Sequence, residues 1–356
     1  MIWTNWDPLE EVIVGNCHTN IPDEWNIDSD VRTTFNQILK ETKEDLDNLS
    51  QYLEKLGVVV HRPKPIKFDQ TINVGPFNVL NATSPIVPRD QYLVYGNTIY
   101  QTYTSMPDRY LDSFSYYDIF SDLYRRGYNW ISQPPPPIKN FTGNVKWYVE
   151  GPKIYQEDYR DVVLWHTATM FKCGDSLITN NLGPGSQLGL EWMKRNVDAT
   201  IINNDGTTVN NWGHIDHGFY MIDDDTVICA TKDWVPKSLH NKQIIELDGL
   251  YTPFDYQDFI SKTHAIKGQL TMEWLNLWLS EWKGYAQDVA FETNVLVVDS
   301  QNVIFSAEQP KVFELLNSLG VKCHVCTIRH GIFWEAGIHC LTLDVKRKGN
   351  RRSICK

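Results

Sequence analysis

No run of 18 consecutive apolar residues occurs in the 356-residue chain, so no membrane-spanning helix is expected. Positive charge is short: 33 Lys and Arg against 44 Asp and Glu leave a formal net charge of -11. Nonspecific nucleic-acid binding needs a basic face, so no nucleic-acid partner is expected, whereas a cationic small substrate suits an acidic protein. A glycine-rich phosphate loop is missing, because Gly183-Pro184-Gly185 has neither the lysine nor the spacing of a P-loop. The opening Met1-Ile2-Trp3-Thr4-Asn5-Trp6-Asp7 lacks a basic stretch and an apolar core, and no secretory leader is expected there. Cysteine is sparse and odd in number, seven in all, which predicts reduced thiols in the cytoplasm. The sequons at Asn48, Asn81 and Asn140 then carry little meaning.

The residues present are those of a large core: 42% are apolar, and 13 Trp, 17 Tyr and 14 Phe supply bulk. One pattern recurs along the chain: two strands joined by a polar turn, a helix, then a third strand. In its clearest copy, which starts at Asn294, strands at 295–298 and 303–305 flank a turn, Pro310 opens a helix over 311–319, Gly320 stops it, and 321–328 closes the unit. Further copies read as strands 91–95 and 98–101 with a helix 109–126, and as strands 162–172, 176–179 and 199–203 with a helix 187–197. A fourth reads as strands 218–222, 226–231 and 243–247. At the start, strand 11–15 precedes a helix over 31–56 whose apolar stripe is Phe35, Ile38, Leu39, Leu46, Leu49, Leu53 and Leu56, followed by strand 58–61. Its missing hairpin partner is assigned to the final strand, 340–345. A sheet that cannot bury itself alone must pack on its neighbours. The expectation is therefore an α/β fold, a single domain over 1–356 built as a closed five-bladed ring, with Pro134–Pro137 a stiff segment between the second and third units.

Two segments suggest chemistry. Cys340 lies in Gly337-Ile338-His339-Cys340-Leu341-Thr342 at the mouth of the last strand, and Gly213-His214-Ile215-Asp216-His217 reads as a strand with His214 and Asp216 on one face. A lone cysteine is ordinarily a small core residue, but a Cys, a His and a carboxylate suit nucleophilic catalysis with proton transfer through the imidazole. Metal binding is not expected. Cys323-His324-Val325-Cys326 alternates as a strand and has no partner motif, and on a strand His214 and His217 would face opposite ways.

The residues Asn5-Trp6-Asp7-Pro8-Leu9-Glu10-Glu11-Val12-Ile13-Val14-Gly15, Pro88-Arg89-Asp90, Leu188-Gly189-Leu190-Glu191-Trp192-Met193, His214-Ile215-Asp216, His339-Cys340 and Asp344-Val345-Lys346-Arg347 occur in order across nearly the whole chain. Together they resemble the arginine:glycine amidinotransferase family of the guanidine-modifying superfamily. The resemblance implies the pentein fold, a pseudo-fivefold ring of ββαβ modules with a central active site. It implies Cys340 as the nucleophile toward a guanidinium carbon and His214 as the group that protonates the leaving amine and later deprotonates the acceptor. It also implies Asp216 and Asp90 as carboxylates gripping the planar cation, which offers only donors. No cofactor is implied; the partners are an arginine-like donor and an amine acceptor, and a homodimer is left open.

The sequence departs from the family in places. Where the family has a third catalytic residue, an aspartate, this chain places His166, unless the alignment slips to Asp161. An imidazolium there would repel the substrate. Donor-carboxylate recognition falls on Thr231-Lys232-Asp233 and Gln287-Asp288, with Lys232 as the replacement cation, and the bulky Phe333-Trp334-Glu335-Ala336 before the nucleophile suggests an altered acceptor pocket. The leading reading is an amidinotransferase. The alternatives are a guanidine hydrolase of the same superfamily and a non-catalytic ligand-binding protein on the same scaffold.

Overall fold

The fold is that of a computed structural model, which describes the chain apart from residues 24–28, 68–70, 75–76, 81–83, 104–108, 137–161, 181–185, 205–213, 248–249, 251–292, 335 and 356. The first elements are β1 (Leu9–Val14), α1 (Ser29–Lys55) and β2 (Val59–His61), followed by a separate hairpin, β3 (Thr71–Val74) and β4 (Phe77–Leu80). The second module is β5 (Tyr92–Tyr95), β6 (Thr98–Gln101), α2 (Asp112–Arg125) and β7 (Asn129–Ser132). The third is β8 (Met170–Cys173), β9 (Ser176–Thr179), α3 (Gln187–Asn196) and β10 (Thr200–Asn203). The fourth has β11 (Phe219–Met221), β12 (Thr226–Cys229) and β13 (Gln243–Glu246), and the fifth β14 (Leu296–Asp299), β15 (Asn302–Phe305), α4 (Pro310–Ser318) and β16 (Lys322–Val325). A short α5 (Gly331–Trp334) precedes β17 (Thr342–Arg347).

Each module is a three-stranded sheet with the same logic: a middle strand pairs antiparallel to one neighbour and parallel to the other. The antiparallel pair needs only a tight turn, while the parallel strand needs a crossover connection. In the first blade β1 lies between β17 and β2, with Val14 opposite Thr342 and Val12 beside Val60. The two ends of the sequence thus build one blade and close the ring, as the orphaned first strand requires. In the fourth blade the crossover holds two 3-10 turns, Lys232–Trp234 and Lys237–Leu239, where the others carry a helix.

Helices cover the sheets with apolar faces. Phe35, Ile38, Leu39, Leu46, Leu49 and Leu53 of α1 are all buried, but Leu56 lies beyond the helix end and is exposed. Several strands are shorter than the apolar runs suggested. Residues 162–166 are not strand, and Cys340 sits in the turn before β17. Asp161, Gly183-Pro184-Gly185, Gln287 and Asp288 lie outside the described residues.

Candidate active site

The first strand of each blade is preceded by a tight turn, and these turns converge where the blades meet. Pro88–Asp90 forms a 3-10 turn before β5, and Thr167–Thr169 forms another before β8 with His166 at its entrance. Ile215–His217 forms a third before β11, with His214 at its entrance. Thr293 and Asn294 lead into β14, and residues 338–341 turn into β17. Local sequence explains these turns: Gln91 N–H donates to Pro88 O, Thr169 N–H to His166 O, and Thr342 N–H to His339 O, the i to i+3 bonds of a 3-10 turn. Residues 214–217 are therefore not the strand expected from the alternation of the segment, whose first residue, Gly213, lies outside the described residues. His214 and Asp216 approach one centre because a tight turn brings them there.

Cys340 is 1% exposed. Its sulfur receives a hydrogen bond from Asn294 Nδ2 at 2.9 Å, and its own N–H donates to Asn294 Oδ1 at 3.1 Å, so one amide side chain clamps the Cys340 turn. The thiol lies 3.5 Å from Asp216 Oδ2. The same oxygen accepts from His339 Nδ1 at 2.7 Å, while Asn5 Nδ2 lies 3.5 Å from His339 Nε2, an arrangement that fits a neutral Nδ1–H tautomer. Burial drives the His339 pKa down to about 4. Burial acts to raise the Asp216 pKa, yet the hydrogen bond and charge of His339 hold it well below the usual carboxylate range. Burial, with the carboxylates of Asp216 and Asp90, pushes the Cys340 thiol well up and favours its neutral form.

On the other side, Asp90 Oδ2 accepts from Arg109 Nη1 at 2.5 Å. Arg109 also donates to Asp112 Oδ2 at 3.1 Å and to Val87 O at 2.9 Å. His166 Nε2 is 3.7 Å from Asp90 Oδ2, and its ring stacks on His214 at 4.9 Å between centroids. Burial takes the His166 pKa down to about 3, so its imidazole is neutral near pH 7 and the anticipated repulsion of a cation does not arise. Three buried polar atoms of this constellation lack a hydrogen-bond partner among the described residues: Asp90 Oδ1, Asp216 Oδ1 and His166 Nδ1. Buried polar atoms are almost always paired, so unpaired acceptors clustered around a thiol mark a place for a donor-rich ligand.

Of the residues singled out from sequence, Cys340, His214, His166, Asp216 and Asp90 all stand in this constellation. Lys232 is exposed on its 3-10 turn. Phe333 and Trp334 pack toward α1, Phe333 at 5.8 Å from Phe35 and Trp334 donating its indole N–H to Thr42 Oγ1 at 2.8 Å. Their bulk packs the segment before Cys340 against α1, while Glu335 lies outside the described residues. Asn294, His339 and Arg109 were not anticipated; a Cys preceded by a His and an arginine within α2's approach were the available signals. Metal geometry also differs from expectation. One ligand atom from each of His214, Asp216, His217 and Cys340 lies within 4.8 Å of the others, because the turn brings together two histidines that a strand would separate. Asp90, His166 and His214 form a second such group, while Cys323 and Cys326 join none among the described residues.

No protein-family model matches the chain. Over 98% of its length it is 23% identical to the mitochondrial glycine amidinotransferase of Danio rerio, of which 83% is covered. It is 24% identical to inosamine-phosphate amidinotransferase 1 of Streptomyces glaucescens, over 98% of the chain and 97% of the relative. Among solved structures it superposes on SxtG, an amidinotransferase from Microseira wollei in saxitoxin biosynthesis, with a TM-score of 0.72 at 23% identity, covering 99% of this chain and 98% of that one. Similarity to amidinotransferases thus runs end to end, and the blades are arranged as the ring of the pentein fold.

Proposed function

We propose that the protein transfers an amidino group from arginine, or a guanidine like it, to an amine acceptor through a covalent adduct on Cys340. The observation that carries this reading is the pair of buried carboxylates in the Cys340 constellation, Asp90 and Asp216, each with one oxygen that accepts no hydrogen bond among the described residues. A guanidinium is planar, cationic and made only of donors, which such oxygens complement. Its charge would offset the carboxylates that hold the thiol neutral, so substrate entry itself favours the thiolate.

The Cys340 thiol gives its proton to His214 as the sulfur attacks the guanidinium carbon, the bond from that carbon to the chain nitrogen of the donor breaks, and His214 passes that proton to the departing amine. The acceptor amine then attacks the amidino carbon, gives its proton to His214, and the carbon–sulfur bond breaks to return the thiolate. His166 Nδ1 supplies a neutral acceptor for a substrate N–H. Neither step calls for a metal or cofactor, and a chelator should leave the rate unchanged. We read residues 1–356 as one catalytic domain. Seven free thiols suit a reducing compartment and support a cytoplasmic location. No described helix is long and apolar enough to cross a membrane. Gel filtration with light scattering tests the homodimer.

The deciding experiment is intact-mass analysis after mixing with guanidine-labelled arginine. An amidino adduct that maps to Cys340, vanishes in Cys340→Ser, and passes its label to an added amine with release of ornithine supports the reading. Citrulline or urea as the labelled product would replace it with hydrolysis.

A further inference from the structure

Beyond β17 the chain runs across the turn that joins β8 to β9. Arg351 pairs with Asp198 at 2.7 Å, and Arg352 forks onto Asp7 and Asp224. Asp175 N–H donates to Arg352 O at 2.8 Å, Gly174 and Ser353 form an antiparallel bridge, and Ile354 is buried. The two backbones touch: Gly174 has φ +70°, and a Cβ there would lie 2.0 Å from Arg352 O. This docking fixes Cys355 Sγ 3.1 Å from Cys173 Sγ, although the two residues are 182 apart in sequence. Both thiols are free; Cys173 is buried and Cys355 half-buried. A disulfide bond of about 2.05 Å is reached by roughly 1 Å of side-chain movement.

We propose that Cys173 and Cys355 form a reversible disulfide that staples the segment after β17 to the third blade. The oxidant is a small disulfide of the glutathione class. Cys355, the accessible member, loses its proton and attacks one sulfur of that disulfide; the small S–S bond breaks and one small thiolate departs. Cys173 then loses its proton and attacks Cys355 sulfur, expelling the second small thiolate. Two protein thiols are oxidised and one small disulfide is reduced to two thiols. The contact between the sulfurs holds the Cys355 thiol below its ordinary value and Cys173 above it, which assigns Cys355 the attacking role. Cys340 lies in its own clamp and takes no part.

The test equilibrates the full chain with oxidised glutathione, then counts free thiols and maps peptides without reduction. Expected are the loss of two thiols, one Cys173–Cys355 cross-link, and a melting temperature about 5–10 °C higher that reverts on reduction, since a cross-link closing so long a loop constrains the unfolded chain. Cys355→Ser, at a half-buried site, should keep the reduced protein's melting temperature and lose the response. A reaction that stops at a glutathione adduct on Cys355, a cross-link between other cysteines, or a cross-link without thermal gain overturns the proposal.

Discussion

Asp344 and Asp216 are both buried aspartates close to the Cys340 turn, and they are solvated in opposite ways. Asp344 is fully buried, with Arg89 Nη2 at 3.2 Å on one oxygen and Lys172 Nζ and Arg347 Nε, each at 3.1 Å, on the other. Three cations surround one carboxylate. They hold its pKa well below the usual range despite burial, while burial brings Lys172 down to about 8. Arg89 also donates from Nε to His339 O at 2.8 Å and Thr342 O at 3.1 Å, so this cluster shapes the Cys340 turn. Asp216 has one oxygen engaged by His339 and Cys340, while the other accepts no hydrogen bond among the described residues and has His217 Nε2 4.0 Å away. In the reading proposed above, the saturated carboxylate belongs to the scaffold and the half-saturated one receives the cationic substrate.

The largest effect should come from breaking the saturated side. Asp344→Asn keeps the shape but leaves three buried cations without a counter-charge. Removing one partner of a buried pair costs about 3–5 kcal/mol, and here three partners are stranded. We expect little soluble protein, or a melting temperature lower by about 10 °C or more. A variant that melts like the parent would show that saturation does not distinguish scaffold from site.

Asp216→Asn should do the reverse. Its amide oxygen still accepts from the neutral His339, so the melting temperature should change little. Loss of the charge facing the substrate is worth about 2–5 kcal/mol, a fall of roughly 30- to several-thousand-fold in kcat/KM for amidino transfer. If stability collapses while turnover survives, the two roles are reversed.

Acid should act on the receptor side. His166 and His339 bind protons only near pH 3 and 4 in the fold, against 6.5 in the unfolded chain. Stability from these two is fully present above pH 6.5 and is lost as pH falls toward 4, because the unfolded state takes up protons that the fold excludes. The slope is about 1.4 kcal/mol per pH unit for each group, so near pH 5 the pair contributes about 2–3 kcal/mol per unit. Below pH 4 the depressed carboxylates of Asp216 and Asp90 add to the loss. Denaturant melts at pH 7, 6 and 5 measure this directly, and a flat profile would mean these imidazoles are not buried neutral.

The ring was legible in sequence because punctuation is local. Gly96 and Gly174 turn hairpins at positive φ, Gly57, Gly127 and Gly320 follow helices, and Pro310 opens one. The site was legible only in part. Cys340 and Asp216 stood out by residue type and by resemblance, but the bond between them spans 124 positions, and no spacing rule reaches that far. Arg109 reaches Asp90 from 19 residues away, and Asn294 clamps Cys340 from 46. The misreading of 214–217 as a strand has a local cause: the short alternation His214-Ile215-Asp216 fits a 3-10 turn as well as a strand. That error concealed how His214 and His217 come to share one centre.

The smallest effect concerns His166. With its pKa near 3 it acts as a neutral ring, Nε2 toward Asp90 and Nδ1 buried without a hydrogen-bond partner among the described residues. If Nδ1 accepts a substrate N–H, the neutral His166→Asn can take over with its amide oxygen, and turnover should fall by no more than about tenfold, one hydrogen bond's worth. His166→Asp places a second carboxylate on the Asp90 side of the site. Without substrate the two repel, and the empty enzyme should melt slightly lower. With a guanidinium present the new charge gains a partner, and the KM for arginine should fall by a few-fold. The pH profile separates this from a role in proton transfer. A ring that stays neutral contributes no limb between pH 5 and 8, so kcat/KM profiles of the parent and of His166→Asn should superimpose in shape over that range. A limb present in the parent and missing in His166→Asn would make His166 a titrating group in turnover, and the neutral-acceptor role would have to be given up.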